Sequence, residues 1–226
     1  MHKINIAIDG PGGSGKSTTA KIVAERLNYI FIDTGLMYRA LTLHCLTNNI
    51  NFKDRKKIVK LLNNLRFSYD TNGSIYVNGI KQNITELNSK EVSENVSLVS
   101  KIKAVRVFMV KVQRSIVQGR GYILAGRDIG TVVLPNAQLK VFLTATVSKR
   151  AHRRIEQARS QGIILDLKNI EKSLVERDFK DTNRKIGPLK KAKDAIEIDN
   201  TNLSLEQIVD LIVTMTYEFC KESISI

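Results

Sequence analysis

The 226-residue chain has no tryptophan, two cysteines and 6% aromatic residues, and its 22 acidic side chains are outnumbered by 36 lysines and arginines. Each shortage excludes something. Without tryptophan or an aromatic-rich stretch, the chain lacks the stacking platform on which single-stranded nucleic acid is bound. Cys45 and Cys220 sit in segments of helical periodicity with no CxxC or Cys/His spacing, so neither a disulfide framework nor a metal centre is expected, and both read as buried thiols. No apolar run approaches the ~20 residues of a membrane span. Met1 to Ile8 lacks the long apolar stretch of a secretory signal, so no membrane partner and a cytoplasmic location are expected. Internal repeats, low-complexity tracts and linker-like composition are also missing. The shortage of acids leaves a formal charge of +14, which attracts polyanions, nucleotide or nucleic acid.

What is present reads as alternating strands and helices. A buried strand is predicted over Lys3 to Asp9 and a helix over Lys16 to Leu27. A second strand over Tyr29 to Ile32 ends at Asp33-Thr34-Gly35, before a helix over Leu36 to Leu46. Two βα units in succession imply a parallel sheet. The middle differs: Asp54 can cap a helix over Arg55 to Leu65, Thr71-Asn72-Gly73 joins two short strands as a hairpin, and Ser89 to Lys103 and Ala104 to Gln118 read as helices. From Tyr122 the rhythm returns, with strands at YILA and at Leu139 to Ala145. A helix over Lys149 to Ser160 capped by Ser148 and ended by Gly162 follows, and then a helix over Lys168 to Lys180. The last unit is a strand over Ala195 to Asp199 and a helix over Leu205 to Cys220, with Ser204 and Gln207 at capping-box spacing.

Gly10-Pro11-Gly12-Gly13-Ser14-Gly15-Lys16-Ser17 satisfies G-x-x-x-x-G-K-[ST], and it lies between a predicted strand and a predicted helix as that motif requires. Glycines let successive backbone amides converge on phosphate oxygens, and the helix beginning at Lys16 adds its positive end. A nucleoside triphosphate is the expected ligand, held by residues 10 to 17 and Thr18. Lys16 would lie on the β and γ phosphates and the Ser17 hydroxyl on Mg²⁺. The loop alone leaves open whether the γ-phosphate passes to water or to a second substrate.

Asp33-Thr34-Gly35-Leu36-Met37-Tyr38-Arg39-Ala40 resembles the start of the acceptor site of bacterial cytidylate kinases, which phosphorylate CMP and dCMP. The likeness continues through Gly126-Arg127-Asp128-Ile129-Gly130-Thr131, Ala151-His152-Arg153-Arg154, and Arg177-Asp178 with Asp181, Asn183 and Arg184. It covers most of the chain. The resemblance implies an α/β fold of the P-loop type, a three-layer αβα core about a parallel sheet. The core would comprise residues 1–33, 120–147 and 190–226, with an acceptor-binding insert at 34–119 (hairpin about 65–80) and a short helical lid at 148–189. It further implies that Thr34, Arg39, Arg127 and Arg184 grip the acceptor phosphate beside Gly126, that Ser97, Arg106 and Asp128 read the cytosine, and that Arg177 and Asp181 meet the sugar. Arg153 and Arg154, on the arginine-rich lid helix, are expected to reach the transferring phosphoryl group, and His152 is read as a surface or packing residue. With Lys16, Arg127 and Arg184, they form the catalytic set. The chain departs from many relatives at Ala125, where an acidic residue precedes Gly-Arg-Asp and can hold Mg²⁺ through water; Asp9, Asp33 or solvent is the expected substitute.

The reading that follows is a monomeric kinase using ATP and Mg²⁺ on CMP and dCMP. Competing readings are a P-loop kinase for another small acceptor and a nucleic-acid-linked NTPase, to which the basic runs Lys53 to Lys60 and Arg184 to Lys193 lend some support. A regulatory GTPase is disfavoured by the want of an NKxD-like segment.

Overall fold

The computed structural model describes residues 2–159, 162 and 164–222. Five parallel strands, β1 (Ile6–Asp9), β2 (Ile30–Asp33), β6 (Tyr122–Gly126), β7 (Leu139–Thr144) and β8 (Ile196–Asp199), form one sheet in the order β2-β6-β1-β7-β8. Strand alternation decides which side chains face which layer. Ile6 and Ile8 of β1, with Ile123, Ala125, Leu139, Val141 and Leu143, pack beneath α1 (Lys16–Leu27) and α9 (Leu205–Glu222). Ala7 and Leu124 point the other way, toward Ile32, Ile129 and Val133. All five strands end at one edge of the sheet, where open α/β sheets build their sites.

Helix α1 has the predicted bounds. Gly15 precedes it at φ 91, and Asn28 ends it in the left-handed conformation at φ 52. The Ser204–Gln207 capping box at the start of α9 is formed in both directions, at 2.8 and 3.1 Å. Cys45 and Cys220 are both buried free thiols.

Residues 34 to 118 build a second core beside the sheet. Helices α2 (Thr34–Thr47), α3 (Arg55–Leu62), α4 (Ile84–Leu87), α5 (Lys90–Ser100) and α6 (Lys103–Ile116) enclose Met37, Leu41, Ile58, Leu87 and Met109 together with a small antiparallel sheet. Asp54 caps α3 as predicted, accepting from the Lys57 amide at 3.1 Å. The hairpin of β3 (Phe67–Tyr69) and β4 (Ile75–Val77) is extended by a third strand, β5 (Ile80–Lys81), that the sequence reading omitted. Asn78 and Gly79 both have positive φ, the pairing that a two-residue hairpin turn requires.

Two more helices, α7 (Val147–Arg159) and α8 (Leu167–Thr182), pack on each other over the strand ends. The cap of α7 differs from expectation. Thr146, held by the Thr201 hydroxyl, accepts from the Lys149 amide at 3.3 Å, while Ser148 lies inside the helix, because β7 stops at Thr144 and the chain turns early. The predicted last residue of that helix, Ser160, lies outside the described residues. The segment after β6 forms a single π-helical turn, Ile129–Val133, also absent from the sequence reading.

Candidate active site

The glycine loop is shaped for an anion before any ligand is considered. A Cβ on Gly10 would overlap the Leu143 carbonyl of β7, so the chain can pass here only as glycine. Gly15 offers no capping side chain and the first turn of α1 holds no acid, which leaves its terminal amides free for an external acceptor. The Lys16 ammonium lies over the loop, donating to the Pro11 carbonyl at 2.6 Å and the Ser14 hydroxyl at 3.2 Å. Burial, and secondly the neighbouring Arg127, push its pKa well below the ordinary lysine value. The Ser17 hydroxyl donates to Asp33 Oδ2 at 2.6 Å, and Thr18 is exposed on the first turn.

Above Gly12 lie arginines. Ideal Cβ positions there come within 3.4 Å of Arg127 Nη2 and 3.8 Å of Arg177 Cδ. Arg177 is held to about 9, first by burial and then by Arg127, with Arg39 and Arg154 adding to the repulsion and Asp181 opposing it. Its buried Nε has no hydrogen-bond partner among the described residues. Arg39 and Arg154 are lowered in the same way, each by burial and then by another arginine. Cations that depress one another and leave a buried donor idle form a site in need of an anion.

Beside this cluster Arg106, Asp128, Arg184 and Asp181 sit in a chain of ion pairs that ends on Arg127. Arg127 Nε meets Asp181 at 2.8 Å, Arg184 lies 3.5 Å from both Asp181 and Asp128, and Asp128 is bound to the buried Arg106. The Arg106 guanidinium also covers the Tyr38 ring at 5.6 Å. Arg39 donates to the Leu87 carbonyl and the Ser93 hydroxyl. Thr34 is buried and gives its hydroxyl to the Ala125 carbonyl at 2.8 Å, and Gly126 leaves the room it needs, since a Cβ there would lie 2.7 Å from Thr34 Oγ1. Ser97 stands one turn beyond Ser93 on α5, half-buried, and among the described residues no hydrogen bond joins it to Arg106 or Asp128.

The arginines of α7 separate by orientation. Arg154 faces Arg127, whereas Arg153 is turned to the far side of the loop, donating to the Asn200 side chain at 2.9 Å and lying 3.4 Å from the Ser14 carbonyl. His152 is exposed, the surface alternative of the two readings open to it. The sequence reading missed Asn200 and Arg150. Asn200, just past the end of β8, also donates to the Ser14 carbonyl at 2.7 Å. Arg150, 4% exposed, donates to the Ala145 carbonyl, the Gly12 carbonyl and Asp178, and Asp178 in turn accepts from the Gly12 amide. Arg150→Ala strands these acceptors and is expected to cost about 3 kcal/mol, lowering the melting temperature by about 10 °C. Thermal unfolding followed by circular dichroism checks this.

Asp9 holds the π-helical turn that carries the chain on from Asp128, accepting from the amides of Ile129 at 2.8 Å and Gly130 at 2.7 Å. Burial pushes its pKa up to about 6, against the two amides that favour the charged form. The folded value lies above the unfolded one, so as pH falls the native state takes this proton first, and the contribution of Asp9 to stability grows between about pH 6 and pH 4. Urea unfolding of the wild type and Asp9→Asn at pH 7 and pH 5 should therefore diverge in favour of the wild type at the lower pH.

Comparison with known proteins adds to this geometry. The sequence model of the family described as cytidylate kinase matches residues 6–218. A cytidylate kinase of Fusobacterium nucleatum is 47% identical over 94% of this chain and 96% of its own length. Another, of Alkaliphilus oremlandii, is 48% identical over 95% and 98%. A third, of Caldicellulosiruptor bescii, is 45% identical over 99% and 100%. Among solved structures, an uncharacterized protein from Eubacterium ventriosum shares the fold at a TM-score of 0.51 and 15% identity, with 95% of this chain and 98% of that chain covered. The glycine loop, the facing arginines and a family match along nearly the whole chain agree, and the chain belongs to the cytidylate kinase family.

Proposed function

We propose that the protein transfers the γ-phosphoryl group of ATP to CMP and dCMP, giving ADP and the corresponding diphosphate. The observation that carries this assignment of the site is the half-buried cluster of Arg39, Arg127, Arg154 and Arg177 about Gly12, in which Arg39, Arg154 and Arg177 are each lowered by burial and by a neighbouring arginine and the buried Arg177 Nε has no hydrogen-bond partner among the described residues. The acceptor phosphate, already anionic, supplies the attacking oxygen, so no side-chain base is required. Its oxygen bonds to the γ-phosphorus as the bond to the β–γ bridging oxygen breaks. Backbone amides from Gly13 to Thr18 cradle the donor phosphates between Gly10 and the first turn of α1, and Lys16 exchanges the Pro11 carbonyl for phosphate oxygens. Arg127 and Arg154 face the transferring group; Arg153 holds the donor side through Ser14 and Asn200. Thr34, Arg39 and Arg184 take the acceptor phosphate, Arg177 and Asp181 the sugar, and Asp128, Arg106 and Ser97 the cytosine edge. Residues 34–119 then act as the acceptor-binding unit and 148–189 as the lid that excludes water.

Mg²⁺ accompanies the nucleotide in this reading. Ser17 and Asp33, joined at 2.6 Å, offer the hydroxyl and carboxylate oxygens that suit a hard cation. Ala125 is buried opposite Asp33 in the sheet and offers none, while both carboxylate oxygens of Asp9 are taken by amides, so Asp33 is the substitute. The ion neutralises phosphate charge when bound. No helix among the described residues is long and apolar enough to cross a membrane. One chain carries both halves of the site, in keeping with a cytoplasmic monomer.

Calorimetry tests the phosphate assignment. CMP should bind about a hundredfold more tightly than cytidine, with an affinity that falls as salt rises. Equal affinities would remove the arginine cluster from acceptor binding.

A further inference from the structure

Five residues past the end of α8, Gly187 adopts φ 55, the left-handed conformation that favours glycine. Its carbonyl accepts from Arg184 Nε at 2.5 Å, and the Leu189 amide donates to the Asp181 carbonyl at 2.9 Å, so the turn is drawn back against α8. A Cβ on Gly187 would overlap Asp128 Oδ2 and lie 2.5 Å from Arg106 Nη2 and 3.0 Å from its Cζ. Bare backbone therefore rests on the Arg106–Asp128 pair. Neither partner has room to step aside, because Arg106 is 2% and Asp128 5% exposed, and Arg106 is also stacked on Tyr38. Three parts of the chain thus meet at one point: Arg106 from α6, Asp128 from the end of β6, and the turn that follows α8.

We infer that Gly187 is a specificity-determining position, whose missing side chain lets the turn clamp Arg106 and Asp128 in the orientation that selects a 4-amino pyrimidine over a 4-keto one. The inference rests on the proposed activity. A carboxylate held rigidly accepts from an exocyclic amino group and is left facing a carbonyl oxygen by the keto base, and sites of this kind reject the wrong partner strongly. A Cβ at Gly187 would force Asp128 out of that orientation, and the amino group of CMP would lose its acceptor.

The test compares kcat/KM for CMP and UMP in the wild type, Gly187→Ala, Gly187→Asn and Pro188→Ala, with the KM for ATP recorded alongside. The CMP to UMP ratio is expected to fall at least about tenfold in both Gly187 variants, mainly through CMP, with the ATP KM within twofold and Pro188→Ala close to wild type. The ratio does not depend on the fraction of enzyme folded, so partial misfolding leaves it readable. Asparagine tolerates positive φ better than alanine, and recovery of the ratio in Gly187→Asn would mean that backbone strain, not the Cβ contact, is responsible. That result, a parallel loss for CMP and UMP, or an equal fall in Pro188→Ala would overturn the inference. A wild-type enzyme without preference for CMP would instead overturn the proposed activity, before any variant is compared.

Discussion

Lys16→Ala is expected to reduce kcat by about a thousandfold or more while the protein stays folded. The ammonium lies over the loop on the Pro11 carbonyl and the Ser14 hydroxyl, and burial together with Arg127 opposes its charge. A cation held against those pressures contributes little to stability, so its removal should leave the melting temperature within a few degrees. Its expected value lies in the transition state, where negative charge builds on the β–γ bridging oxygen. Retained turnover within tenfold of wild type, in a folded variant, would exclude Lys16 from the chemistry.

Arg127→Ala ranks second, with an expected loss of about 10²- to 10⁴-fold in kcat/KM for the acceptor. Arg127 sits between the two halves of the site. Its Nη2 lies near Gly12, its Nε is 2.8 Å from Asp181, and it is the leading charged neighbour that lowers Lys16, Arg154 and Arg177. Removing it has two consequences with opposite signs. Lys16 and Arg177 are relieved of a like charge and become easier to keep protonated. The acceptor phosphate would lose a guanidinium fork beside Gly12, and Asp181 is left to Arg184. The second effect dominates, because geometry at the reacting phosphates is lost along with charge. Arg127→Lys should recover only part of the activity, since a point charge cannot reproduce the fork. Full recovery would show that charge alone matters at this position.

What the sequence made legible was local. The loop and α1 could be bounded to the residue because Gly15 and Asn28 mark the ends by their own conformations, and Asp54 and the Ser204–Gln207 box act within four residues. Asn78-Gly79 carries an equally local signal, for the turn into a third strand. Other features are decided across the fold. The π-helical turn at Ile129–Val133 is held by Asp9, about 120 residues earlier, and nothing in its own sequence announces it. Thr146 rather than Ser148 caps α7 because Thr201, on the neighbouring strand's exit, fixes where the helix begins. Four arginines on one helix look equivalent in sequence, yet Arg150 is a buried tie to Gly12, Arg153 turns to Asn200 and Arg154 joins the cluster. Composition identified a basic helix; only packing distributes its charges among three tasks.

The central claim is that this arginine cluster and glycine loop together move a phosphoryl group from ATP to a cytosine monophosphate. ADP release measured with ATP and Mg²⁺ against CMP, dCMP, UMP, AMP and no acceptor tests it most directly. Rapid turnover with CMP and dCMP, slower turnover with UMP and AMP, and none above background without acceptor is the expected result. Fastest turnover with another acceptor, or ADP release that needs no acceptor, would contradict it.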